Sequence, residues 1–264
     1  MDTELILKYN LELRKSLPIE CHGVLLYPVL YKDKEAYDMF IHVLTYNPIY
    51  FQDVELSTLP RLYFITSVLK EPQETAHPLR RAFISELCGL LSFVLREQEF
   101  DFRIQPSGQI GLVIFKDKEH TSEVEINANK FEDIRKIILL QNDTFCEDRY
   151  IHPDILRWIE EQKEHERKHS AKKYIDTTED QVEAMMITFG NPDEKFLDDM
   201  TIRRVNRLYE KAMDKPIFEA QMNGAMSGMV KFKESPTSWA VTKPKQTDFD
   251  KYLRELHPDG APAI

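Results

Sequence analysis

At 264 residues the chain is long enough for one large domain or two smaller ones with a substantial core. A net charge of −10 disfavours non-specific nucleic-acid binding, which depends on Lys and Arg neutralising phosphates. Only 8 glycines argue against all-β architectures and phosphate-cradling loops, which need positive φ or close backbone approach.

In chain order, a polar helix is expected over residues 3–15. Gly23-Val24-Leu25-Leu26-Tyr27-Pro28-Val29 reads as β structure, and Pro28, lacking a backbone donor, places it at an edge or strand end. Residues 34–44 carry Tyr37, Phe40, Ile41 and Leu44 at helical spacing until Asn47-Pro48 breaks the pattern. Two further amphipathic helices are predicted over 58–69 and 78–97. In the second, Pro78 fits the first turn and Phe83, Leu87, Leu90, Leu91 and Val94 form the apolar stripe.

Phe100-Asp101-Phe102-Arg103-Ile104 then alternates with period 2, and Pro106-Ser107-Gly108 supplies turn chemistry. Residues 110–115 read as a buried strand, and Val124-Glu125-Ile126 alternates again. Three short strands in succession predict an antiparallel meander with one face on the helices. Asn127 or Asn129 suits the N-cap of the next helix, lined by Phe131, Ile134, Ile137 and Ile138.

From Tyr150 the character changes. Ile151, Ile155, Leu156 and Ile159 offer an apolar edge, but residues 160–173 are almost entirely Glu, Gln, Lys, Arg and His. Such a stretch has no face to bury and reads as a solvated helix or linker. Beyond it, Val182, Met185, Met186 and Phe189 recur at i, i+3, i+4, i+7, and Gly190 followed by Asn191-Pro192 ends that helix. Thr201 starts another, with Ile202, Val205, Leu208, Tyr209 and Met213 aligned, and Pro216 is expected to restart a third run. The fold class is therefore a mostly helical α+β protein. Residues 1–150 form an α+β domain, 151–175 a charged helical connector, 176–232 a helical module and 233–264 a mostly disordered, proline-punctuated tail.

Among motifs with chemical content, His165-Glu166-Arg167-Lys168-His169 is a literal H-E-x-x-H. On a helix the imidazoles of His165 and His169 share a face and could hold zinc, with Glu166 activating water. That chemistry also needs a third ligand and a walled pocket, and a helix charged on all sides cannot pack to provide one. A zinc metallopeptidase is thus the disfavoured enzyme reading; no cofactor and no catalytic residue are expected.

The cysteines at 21, 88 and 146 are odd in number and form no CxxC, consistent with free thiols in a reducing compartment. Cys21-His22 and Cys88 with His77 could be nucleophile pairs, but Cys88 falls in an apolar stripe, where thiols lose reactivity. Asp193-Glu194 and Asp198-Asp199 lack calcium-loop spacing and suit a helix N-terminus instead. Methionines 213, 222, 226 and 229 are more informative, because flexible thioethers suit surfaces that accept varied partners. Met222, Met226, Met229, Phe232 and Trp239 are the candidate partner-binding residues.

Residues Thr178-Glu-Asp-Gln-Val, Gly190, Phe196-Leu-Asp-Asp-Met-Thr-Ile-Arg-Arg-Val-Asn-Arg-Leu-Tyr and Ala225-Met-Ser-Gly-Met-Val-Lys-Phe-Lys resemble uncharacterised proteins encoded in tail gene clusters of phages and prophages of Gram-positive bacteria. Gly23-Val-Leu-Leu-Tyr-Pro-Val and Tyr37-Asp-Met-Phe-Ile are similar to the same group, and the C-terminal arrangement resembles phage tail-assembly chaperones. The resemblance implies a role in tail or baseplate morphogenesis, as an assembly factor or a minor virion subunit. Its partners would be tape-measure, tube or baseplate proteins, with neither nucleic acid nor membrane involved. The acidic start Met1-Asp2-Thr3-Glu4, unlike a signal peptide, gives the expectation of the host-cell cytoplasm or the virion as its location.

Overall fold

The first β structure is a tight hairpin that sequence periodicity shows only in part. Ile19–Cys21 (β1) pairs antiparallel with Val24–Leu26 (β2), placing Cys21 opposite Val24 across a two-residue turn. His22 at φ 52° and Gly23 at φ 80° make that turn left-handed at both positions, which matches the twist of paired strands. The computed structural model describes residues 3–72, 77–169, 178–190, 193–227 and 236–240.

Before the hairpin lie the short helices Thr3–Lys8 (α1) and Asn10–Lys15 (α2). After it come Lys34–Phe40 (α3), His42–Thr45 (α4), Val54–Ser57 (α5), Arg61–Thr66 (α6) and the long Pro78–Leu95 (α7). Asn47-Pro48 punctuates as expected, with the Asn47 side chain accepting from the Ile49 amide. The meander follows: Phe100–Ile104 (β3), Ile110–Phe115 (β4) and Glu123–Ile126 (β5), in that spatial order and antiparallel throughout. Ala128–Gln141 (α8) is capped by Asn127, whose side chain accepts from the Lys130 amide. The remaining helices are Pro153–His169 (α9), Thr178–Phe189 (α10), Lys195–Asp198 (α11) and Ile202–Met226 (α12). The protein is a mostly helical α+β fold.

Residues 2–146 and 193–208 form one compact unit; the described parts of 147–192 and 209–264 form another. The first unit is discontinuous in sequence. Composition alone places 193–208 with the C-terminal helices, whereas the backbone ties them to the N-terminal unit. Tyr31 N donates to Met200 O at 2.7 Å and Ile202 N to Val29 O at 3.0 Å, so Leu30 and Thr201 bridge as a single antiparallel pair. Leu197 and Ile202 are buried, and Thr201 Oγ1 accepts from the Arg204 amide as the N-cap of α12.

In this unit α6 packs on β4, α8 packs on β5 and on the β1–β2 hairpin, and α7 contacts α3, α4 and α6. Leu112, Ile114 and Ile126 of the sheet join Phe83, Leu87, Leu90 and Leu91 of α7 and Phe131, Ile134, Ile137 and Ile138 of α8 in one core. The opposite face of β4 is also covered. The His120 ring stacks on Phe115 at 3.9 Å, the Arg103 guanidinium sits 5.3 Å from the same ring, and Val113 is buried. Arg103 of β3 and His120 of the β4–β5 loop thus shield the outer face at Phe115, which period-2 patterning does not reveal.

A glycine in α7 shows how closely these helices approach. A Cβ on Gly89 would lie 2.7 Å from the Phe40 ring. Alanine gains about 1 kcal/mol over glycine in a helix interior, but overpacking against a ring typically costs about 1–3 kcal/mol. Gly89→Ala is therefore expected to lower stability by about 1 kcal/mol in urea titration. A stabilised variant would show that α3 yields freely.

Pro216 does not restart a helix. α12 runs through it without interruption, although the ring removes the donor that would bond to the Ala212 carbonyl. Gly190, at φ 62°, stands just past the end of α10 in the left-handed conformation expected of a terminating glycine. Among the described residues no helix is long and apolar enough to cross a membrane.

Candidate functional site

α10 turns two faces in different directions. Val182 and Met185 are buried, whereas Met186 is half-buried, Phe189 is exposed and Ile187 is 82% exposed. Glu183, Met186, Ile187 and Gly190, spaced i, i+3, i+4 and i+7 and hence on one helix face, line an open hollow of about 380 Å³. Among the described lining residues Glu183 is the charged one. α12 carries three methionines from its middle to its end: Met213 is exposed, Met222 is half-buried and Met226 is 81% exposed. Ile217, one turn beyond Met213, is 57% exposed.

Trp239 is half-buried, and its carbonyl accepts from Lys211 Nζ at 2.8 Å, tying residue 239 to α12. Of the five partner-binding candidates, Met222, Met226 and Trp239 are described; Met229 and Phe232 lie outside the described residues, as does most of the predicted tail. Sequence reasoning missed Ile187 and Ile217. Ile187 falls just outside the apolar spacing of α10. Ile217 follows Pro216, and an expected helix start at that proline hides its place on the same face as Met213.

His165 and Glu166 lie on α9 and are exposed, beside a surface ion pair between Lys168 and Glu164 at 2.7 Å; the side chain of His169 is outside the described residues. Among the described residues no three His, Cys, Asp or Glu side chains converge as a metal site would require. Both histidines of the Cys/His pairs have other hydrogen-bond partners. His22 Nε2 is 2.8 Å from Asp133 Oδ2, and His77 Nδ1 accepts from the Leu79 amide at the start of α7. Burial pushes the thiols of Cys21 and Cys88 above their ordinary value, the direction that withholds the thiolate.

Asp193 accepts from the Lys195 amide at 3.1 Å, so at least one residue of the acidic cluster serves a helix start. The exposed side chains of α10 and α12 offer apolar contact.

No family model matches the sequence, and no curated protein or solved structure matches it significantly.

Proposed function

We propose that the chain is a non-enzymatic, chaperone-like protein-binding factor in phage tail or baseplate assembly, acting in the host-cell cytoplasm. Tape-measure, tube or baseplate components would dock on the apolar side chains that α10 and α12 expose. The observation that carries the reading is Ile187, 82% exposed beside a hollow of about 380 Å³. Burying an isoleucine side chain is worth roughly 1.5–3 kcal/mol relative to leaving it in water. A partner that covers Ile187 and Met226 gains that free energy, and the adaptable thioethers of Met186 and Met222 tolerate imperfect fit. The likeness of residues 178–233 to tail-cluster proteins supplies the biological setting.

The chain co-expressed with the tape-measure, tube and baseplate proteins of its own phage should co-purify with at least one of them. Ile187→Glu combined with Met226→Glu, both on the surface and leaving the fold intact, should cut the recovered partner at least about tenfold. Equal recovery by wild type and variant would refute the assigned surface, and no recovery of any tail protein would refute the reading. Mass spectrometry of purified particles separates the assembly factor, expected to be missing from them, from a minor structural subunit.

A further inference from the structure

Among the described residues β3 is the edge of the three-stranded sheet, paired with β4 alone. Phe115 N donates to Glu99 O and Gln105 N to Gln109 O, which fixes the alternation along the pair. The hydrogen-bonded residues of β3 are therefore Asp101 and Arg103, and the N–H and C=O groups of Phe100, Phe102 and Ile104 point away from β4. Consistent with this, Phe102 N donates to the neighbouring Asp101 Oδ1 at 2.8 Å and not across the ladder.

The edge is self-complementary. In Phe100-Asp101-Phe102-Arg103-Ile104 the two opposite charges flank a central phenylalanine. When two such strands lie antiparallel about a two-fold axis through Phe102, Asp101 of each copy faces Arg103 of the other. Phe100 then faces Ile104, and Phe102 faces its own symmetry mate. The pairs that this register hydrogen-bonds, Phe102 with Phe102 and Phe100 with Ile104, are the residues whose backbone groups point outward. Ile104, 74% exposed while Phe100 and Phe102 of the same face pack on the core, would gain cover from the second copy.

We propose that β3 is the interface of a two-fold homodimer, joining two three-stranded sheets into one. This is independent of the binding surface on α10 and α12. Charges on edge strands usually keep edges apart. Here their opposite sign at mirror positions makes the same residues attractive, as oppositely charged cross-strand pairs are. Arg103 already holds Glu123 at 2.8 Å and lies 3.6 Å from Asp101 of its own strand, and a guanidinium has five donors, enough to serve a further carboxylate. Five residues a side is a small interface, so the dimer is expected in the micromolar range or weaker and to depend on concentration and salt.

Sedimentation equilibrium of the full chain over a wide concentration range tests this. The wild type should show a monomer–dimer equilibrium. Asp101→Arg, which sets Arg against Arg103, should raise the dissociation constant at least about tenfold. Adding Arg103→Asp should restore it to within a few-fold. Ile104→Pro removes an outward donor and leaves the β4 ladder intact, so it should abolish the dimer with unchanged circular dichroism. If one variant fails to fold, the other decides. A wild type monomeric at every concentration, or a dimer indifferent to a folded variant, overturns the proposal. So does a folded charge-swapped double variant that stays monomeric.

Discussion

Arg203→Ala is expected to destabilise the first unit by about 3–5 kcal/mol, the typical loss on breaking a buried ion pair from one side. Arg203 Nη1 lies 3.3 Å from Asp143 Oδ1 and donates to Leu140 O at 2.9 Å, with the two side chains only 6% and 3% exposed. The pair fastens the returning segment 193–208 onto the end of α8, whose last residue is Gln141. Removing the guanidinium takes from a desolvated carboxylate one ion-pair partner, and from the Leu140 carbonyl a donor. Removing both charges should cost less than removing one. Arg203→Met with Asp143→Asn is therefore expected to recover a large part of the loss, asparagine being tolerated at the φ of 57° that Asp143 adopts. Urea unfolding of the intact chain measures all three. A single variant within about 1 kcal/mol of wild type would show that the segment is held by its other contacts.

The second large effect is expected at the aromatic centre of the same unit. Phe83 is fully buried on α7, with ring centroids 5.0 Å from Tyr46, 5.4 Å from His42 and 6.3 Å from Phe64. Tyr46 also stacks on Phe64, and Phe51 meets Phe64 edge to face at 5.1 Å. Phe83→Ala opens a cavity that rings held from α4, α6 and the loop between them cannot close without leaving their own positions. The loss should be about 3–5 kcal/mol, a large share of the roughly 5–15 kcal/mol that holds a domain together. Phe83→Leu, which keeps most of the volume, should cost markedly less. Thermal unfolding of the two variants side by side gives the comparison; equal losses would mean that ring geometry, and not filled volume, sets the value of the site.

How much of this was legible in the sequence depends on the range of the forces involved. Elements set by local patterning could be read directly. Alternation gave β3 and β5, the stripe from Phe83 to Val94 gave α7, and Asn127 capped α8 as its side chain allows. β1 escaped because three residues are too few to show a period, and because its turn rests on a histidine at positive φ, which composition does not flag.

Pro216 misled because the tendency of proline to break helices is an intrinsic preference that surrounding structure can override. The return of residues 193–208 to the first unit was invisible for a different reason. It depends on Thr201 meeting Leu30 and Arg203 meeting Asp143, contacts across 171 and 60 positions that no local pattern encodes. In the candidate binding surface, the thioethers announced themselves by composition. Ile187 and Gly190 did not, since their joint exposure beside one hollow is a fact of helix orientation.

Hydrogen–deuterium exchange on a co-purified complex with a tail component tests whether the proposed binding surface lies on α10 and α12. Protection on binding is predicted to fall on residues 183–190 and 213–226, while the amides of α9 around His165 exchange as in the free chain. Protection confined to α9, or to the β1–β2 hairpin and its surroundings, with α10 and α12 unchanged, would contradict the assignment.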